Sequence, residues 1–134
     1  MNTDRLPTYV LAAVVSQIPA GSLAHHSAVE FDFSGGERAV TGIVKEFDVR
    51  NPHTRIVLEI TDDERGTRDA EYEGDSRSNW YRAGWRPDLV SIGDEITLNC
   101  FPRRDGEDGG FCRSFSAADA EIGLRGRPQD TRLP

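Results

Sequence analysis

RAVTGIVKEFDVRNPHTRIVLEIT, residues 38–61, decides the fold. Val40, Gly42 and Val44 alternate along one face of a strand, and Phe47 and Val49 continue the alternation in the opposite phase. Side chains alternate strictly across a strand, so a phase change within one run requires an extra residue. It predicts a β-bulge near Lys45-Glu46 that bends one long strand. Gly42 marks a bend or a close backbone approach. Asn51-Pro52 ends the strand, because proline cannot donate to a ladder and restricts the residue before it. Thr54 to Thr61 reads as the second strand, with Ile56, Leu58 and Ile60 on one face and Arg55, Val57 and Glu59 on the other.

Downstream, Asp62-Asp63-Glu64-Arg65-Gly66 is a polar turn and Thr67 to Glu73 a weakly alternating third strand. Asp75 or Ser76 can cap a short helix over Arg77 to Ala83 that stops at Gly84. Glu95 to Phe101 is the next strand, with Ile96, Leu98 and Cys100 in phase. A charged, glycine-rich loop follows, and Phe111 to Ser116 is the returning strand. Ala120 to Leu124 adds a last short strand. Three strands, a short helix and two strands, with the first strand long and bent, is the order of a mainly β, five-stranded Greek-key barrel of the oligonucleotide/oligosaccharide-binding (OB) type. An open β-sandwich is the competing architecture. Cys100 and Cys112 flank the loop symmetrically about Gly106, so antiparallel pairing sets them opposite each other and predicts a disulfide in an exported chain.

Upstream, residues 1–24 differ in composition from the rest. Arg5 supplies a basic start, Leu6 to Ala20 is mostly apolar, and Ser22-Leu23-Ala24 is a small-x-small cleavage site, so 1–24 reads as a signal peptide. An N-terminal helix packed on the core is the other reading. Residues 25–124 form a single barrel domain, and 125–134, polar and proline-containing, form an expected disordered tail. Export places the protein in the periplasm or outside the cell. Of the 134 residues 37% are hydrophobic and 29% charged, and Asp plus Glu outnumber Lys plus Arg by 23 to 16, for a formal net charge of -7. That balance opposes nucleic-acid binding, which needs a basic footprint. No apolar run approaches the roughly 18 residues of a membrane span. There is no Walker loop, dinucleotide glycine fingerprint or zinc-protease motif.

The stretches His25-His26-Ser27, Thr41-Gly42-Ile43-Val44, Asn51-Pro52-His53, Arg82-Ala83-Gly84-Trp85 and Gly93-Asp94-Glu95-Ile96-Thr97 resemble, in order and spacing, a family of small exported bacterial proteins defined as a domain of unknown function. The resemblance runs from about His25 to Phe115. The chain departs from that pattern at Ala28, where the family has an aromatic residue, and in its cysteine pair. The resemblance implies export and the small barrel, and it supplies no reaction.

The chemistry-bearing residues are few. The three histidines are His25, His26 and His53. Cleavage after Ala24 makes His25 an amino-terminal chelate, and together with His26 and His53 it offers nitrogen ligands in the T-shaped arrangement that suits Cu(II), so copper is the candidate cofactor. The alternative has His53 fixing the corner while His25 and His26 stay solvated. Asn51 and His53, with Trp80, Tyr81 and Trp85, are the candidate residues for a small ligand, although the aromatic rings serve equally to plug one barrel end. Asp69, Glu71 and Glu73 share a strand face that reads as solvated outer surface, where an acid/base pair has room to form. Three functions follow: an exported module that binds a small ligand or a partner protein, a periplasmic copper-binding protein using His25 and His53, and a small enzyme with His53 as base. Protein recovered after export should have the intact mass of a chain beginning at His25. A mass that retains Met1 defeats both the leader and the amino-terminal chelate.

Overall fold

A computed structural model of the protein describes residues 27–118 and 120–123. The expected leader over 1–24, His25, His26 and the tail over 125–134 lie outside the described residues. The elements run α1 (Ser27–Glu30), β1 (Arg38–Asp48), β2 (Thr54–Asp62), β3 (Gly66–Gly74), α2 (Arg77–Arg82), β4 (Glu95–Pro102), β5 (Gly110–Ala117) and β6 (Ala120–Gly123). The sheet order is β3-β2-β1-β4-β5-β6, and a parallel pairing of β3 with β5 closes the first five strands into a barrel. This is the expected mainly β, OB-like barrel, with β6 added at its edge and α2 between β3 and β4.

Closure depends on β1 serving two neighbours. Its first half pairs with β4 from Arg38↔Cys100 to Ile43↔Glu95, and its second half pairs with β2 from Ile43↔Glu59 to Asp48↔Arg55. The register with β2 shifts between Val44 and Glu46, leaving Lys45 as the extra residue of the expected bulge. Before the bulge Val44 is fully buried, and after it Phe47 turns inward onto Phe115 and Trp85. Gly42 sits where β1 changes partners. A Cβ there would lie 2.6 Å from the Glu59 carbonyl oxygen and 3.1 Å from Leu58 Cβ, so only glycine lets the strands approach this closely.

The barrel interior is filled from every strand: Val44, Ile56, Leu58, Tyr72, Ile96, Leu98, Cys112 and Phe115 are buried together. Burial pushes the Tyr72 hydroxyl up to about 12. The helix α2 starts as its sequence directs. Ser76 caps it by accepting a hydrogen bond from Asn79 N, and after Ala83 the chain turns at Gly84 with φ 106°. It carries Trp80 against Phe115 at 5.5 Å, and Trp85 lies beyond, stacked at 6.4 Å on Phe47. The helix therefore stoppers one end of the barrel with indole rings.

Cys100 and Cys112 are register partners on β4 and β5, with Cα atoms 3.9 Å apart, and they form the expected disulfide. Both cysteines are buried. The bond closes a 12-residue interval, worth about 3 kcal/mol by loop-closure entropy. Replacing both cysteines by serine should therefore lower the thermal midpoint by roughly 10 °C or more. A midpoint unchanged in calorimetry would show that the hairpin is held by its strand pairing alone.

Candidate functional site

The corner between β1 and β2, residues 49–53, is fastened to the start of α2. Arg77 N donates to Arg50 O at 3.1 Å, and Thr54 N and Thr54 Oγ1 both donate to Asp75 O, at 3.2 and 2.8 Å. The Asn51-Pro52 peptide is cis. Thr54 is fully buried while the His53 side chain is 38% exposed, so the imidazole is presented outward from a fixed backbone.

What His53 meets is determined by two strand registers. The β2–β3 ladder pairs Arg55 with Glu73 and Val57 with Glu71. The Arg55 guanidinium reaches past its direct partner. Nη2 donates to Glu71 Oε2 at 2.8 Å and Nη1 donates to Glu46 across the bulge. This hydrogen bond holds the Glu71 carboxyl below the usual carboxylate range. Glu73 is left to His53, whose Nδ1 lies 3.2 Å from Glu73 Oε2. The distance is that of an ion pair, but the ring N–H is not aligned to donate. Glu73 Oε2 is enclosed and accepts no hydrogen bond among the described residues. The second register is the barrel seam, where Glu73 pairs with Phe111. The His53 ring stands edge-on to Phe111 at 5.8 Å.

On the other side of Phe111 stands Phe31, at 5.9 Å. The segment that follows α1 is tied to the β4–β5 loop. Phe31 bridges Arg103, Asp32 N donates to Pro102 O at 2.8 Å, and Arg104 Nε donates to Phe31 O at 2.9 Å. The start of the described chain therefore approaches the rim that carries His53.

Two hollows open on this face. One, of about 370 Å³, is lined by the corner residues Arg50, Asn51, Pro52 and His53 and by Arg55, Glu71 and Glu73. The other, of about 280 Å³, is lined by Phe31, Arg103, Asp108 and Gly110. Glu71 and Glu73 border both, so the two form one groove across β3 between the β1–β2 corner and the β4–β5 loop. This is the surface on which barrels of this type carry their ligands. Its cations have internal partners: Arg50 with Asp48, Arg55 with Glu46 and Glu71, and Arg103 with Asp105 and Glu30.

The residues singled out from the sequence divide. Asn51 and His53 line the groove. Trp80 and Trp85 are buried in the barrel end and Tyr81 packs on Trp85 at 5.2 Å, so none of the three rings lines either hollow. Both indole N–H groups lack a hydrogen-bond partner among the described residues. Cys100 and Cys112 lie inside the barrel. His25 and His26 fall outside the described residues, and among those described no three His, Cys, Asp or Glu side chains converge on one point. Glu73 is the functional candidate that the alternation pattern placed on a solvated face. The turn centred on Glu64 carried the signal, since folding the chain about it brings Glu73 opposite Arg55 and beside His53. An imidazole and a carboxylate placed this way can accept a proton or hold a cation.

Asp108 at the groove's far end belongs to a charge cluster. Arg68 Nε donates to Asp108, Arg68 Nη2 donates to Asp62 at 2.6 Å, and Arg65 adds a further bond to Asp108. The Arg68 hydrogen bond lowers the Asp62 carboxyl to about 2 and also depresses Asp108. Carboxyls lowered in the folded state contribute stability fully present above their unfolded value near 4, and that stability is lost as pH falls toward about 2. Arg68→Gln should therefore flatten the pH dependence of the thermal midpoint between about pH 4 and 2, with the loss of stability seen at neutral pH. An unaltered acid limb in a pH series of melts would count against the cluster.

A family model described as a family of unknown function (DUF6152) matches residues 13–113, most of the chain. No curated protein and no solved structure matches it.

Proposed function

Since the chain belongs to DUF6152, a family whose description carries no reaction, we propose a function from the site alone: an exported β-barrel module that binds a small polar ligand in the groove across β3. The observation that carries this reading is Glu73 Oε2, an enclosed carboxylate oxygen beside His53 Nδ1 with no donor aligned to it. Leaving a buried acceptor unsatisfied costs on the order of 1–3 kcal/mol, which a bound donor recovers. The neighbouring arginines are already paired, so the unmet demand is for a hydroxyl, an ammonium or a cation rather than for an anion. The net charge of -7 points the same way. Volumes of about 370 and 280 Å³ suit a small molecule.

Export is supported by the apolar leader and by the disulfide, since such bonds persist in oxidising compartments. Among the described residues no helix is long and apolar enough to cross a membrane.

The test is amide NMR of the metal-free processed protein, titrated with small sugars, polyols and amines. Shifts should cluster on Asn51, His53, Arg55, Glu71, Glu73 and Arg103. They should weaken at least tenfold in His53→Gln with a thermal midpoint within about 2 °C of wild type, because glutamine keeps hydrogen-bonding capacity without titrating near neutrality. Shifts confined to another face of the barrel, or unchanged in the variant, would overturn the reading.

A further inference from the structure

We infer that the groove takes an organic ammonium with an apolar body, its N–H groups on Glu73 and its hydrocarbon part against the phenylalanines outside the barrel seam. The inference rests on the groove reading above and names the class of its ligand. Three observations carry it. First, four of the six phenylalanines lie outside the interior cluster. Phe101 and Phe111 are register partners next to Cys100 and Cys112, so alternation turns the cysteines inward and both rings outward. The segment after α1 adds two more rings. Phe31 stands 5.9 Å from Phe111, and Phe33 stands 6.0 Å from Phe111 and 4.9 Å from Phe101. Phe31 is buried in fastening that segment, but Phe33 stays 44% exposed beside the ring that walls the hollow.

Second, the charges of that hollow leave one carboxylate over. Glu71, Glu73, Asp108 and Arg103 line it together with Phe31. Arg55 engages Glu71, Arg65 and Arg68 engage Asp108, and Asp105 and Glu30 engage Arg103. Glu73 borders both hollows, has no guanidinium partner among the described residues and accepts no hydrogen bond at Oε2. Third, the seam sets this carboxylate against a ring, since Glu73 pairs with Phe111. Neighbouring strands lie about 4.8 Å apart, so a cation on Glu73 falls within the roughly 6 Å over which an aromatic face attracts it. A lone carboxylate holds an inorganic cation poorly, because such ions need several oxygen ligands. An ammonium draws on the carboxylate, the ring and the apolar wall together.

The experiment titrates 2-phenylethylammonium into protein recovered after export, followed by amide NMR, with 2-phenylethanol as the neutral comparator and ethylammonium as the one without a ring. The aromatic amine should shift the groove amides and bind about tenfold or more tighter than either comparator. Glu73→Gln should erase the preference for the amine over the alcohol. Phe33→Leu, at an exposed site, should keep the wild-type thermal midpoint and shrink the preference for the aromatic amine over ethylammonium. If Glu73→Gln fails to fold, the wild-type comparison of amine with alcohol still decides. Equal affinity for amine and alcohol, or an aromatic amine no tighter than ethylammonium, would overturn the inference. A sugar or polyol that shifts the groove amides in a His53-dependent way, while the amines do not, would end the ammonium inference and leave the groove reading standing.

Discussion

One strand has to hold two neighbours, and the rest of the molecule follows from how it does so. β1 spends its first half against β4 and its second against β2, and the change of partner requires a bend and a close approach at almost the same place. Lys45 supplies the bend by standing outside the ladder, and Gly42 supplies the approach by having no side chain. With β1 bent, β2 and β3 curl until the end of β3 meets β5 at Glu73↔Phe111 and Gly74↔Cys112, and β6 pairs with the second half of β5. The interior then has room for Phe47, Phe115 and the two indoles at one end, and the groove lies outside the seam.

The seam is also what builds the site. Glu73 and Phe111 come from strands distant in the chain, and only the parallel β3–β5 contact sets them side by side. His53 reaches them from a corner whose backbone is tied to Asp75 and Arg77. The ion pairs around the groove are exposed and individually worth about 0–1 kcal/mol, so their effect is less on stability than on availability. By occupying Arg55, Glu46 and Glu71 leave Glu73 without a strong cationic partner.

Much of this was legible in the chain. The bulge showed as a phase change between Val44 and Phe47, and the disulfide as a symmetric placement about Gly106. Helix α2 showed through Ser76 and Gly84. Each is a local signal, or one that a hairpin makes local. The one-turn α1 and the docking of Phe31 were not legible, because their partners are Arg103 and Arg104, and no periodicity reports a contact over that separation. Trp80 and Trp85 were ambiguous between plug and platform until the barrel end they fill was known. His53 was visible as a chemistry-bearing corner residue. Its partner was hidden because alternation assigns Glu73 to a face without revealing that Arg55 turns away from it toward Glu71.

The topology has a kinetic consequence. Arg38 finds its partner at Cys100, and Glu73 finds its partner at Phe111, so the barrel cannot close until roughly the C-terminal third of the chain is present. Loops of this length must be ordered before the pairings that reward them exist, which makes folding slow relative to helical proteins of equal size. Shorter nascent lengths hold β1, β2 and β3 as a meander with two unpaired edges and no interior. Such a chain stays threadable for nearly all of its synthesis, the property that a polypeptide needs if it is to pass a narrow pore before it folds.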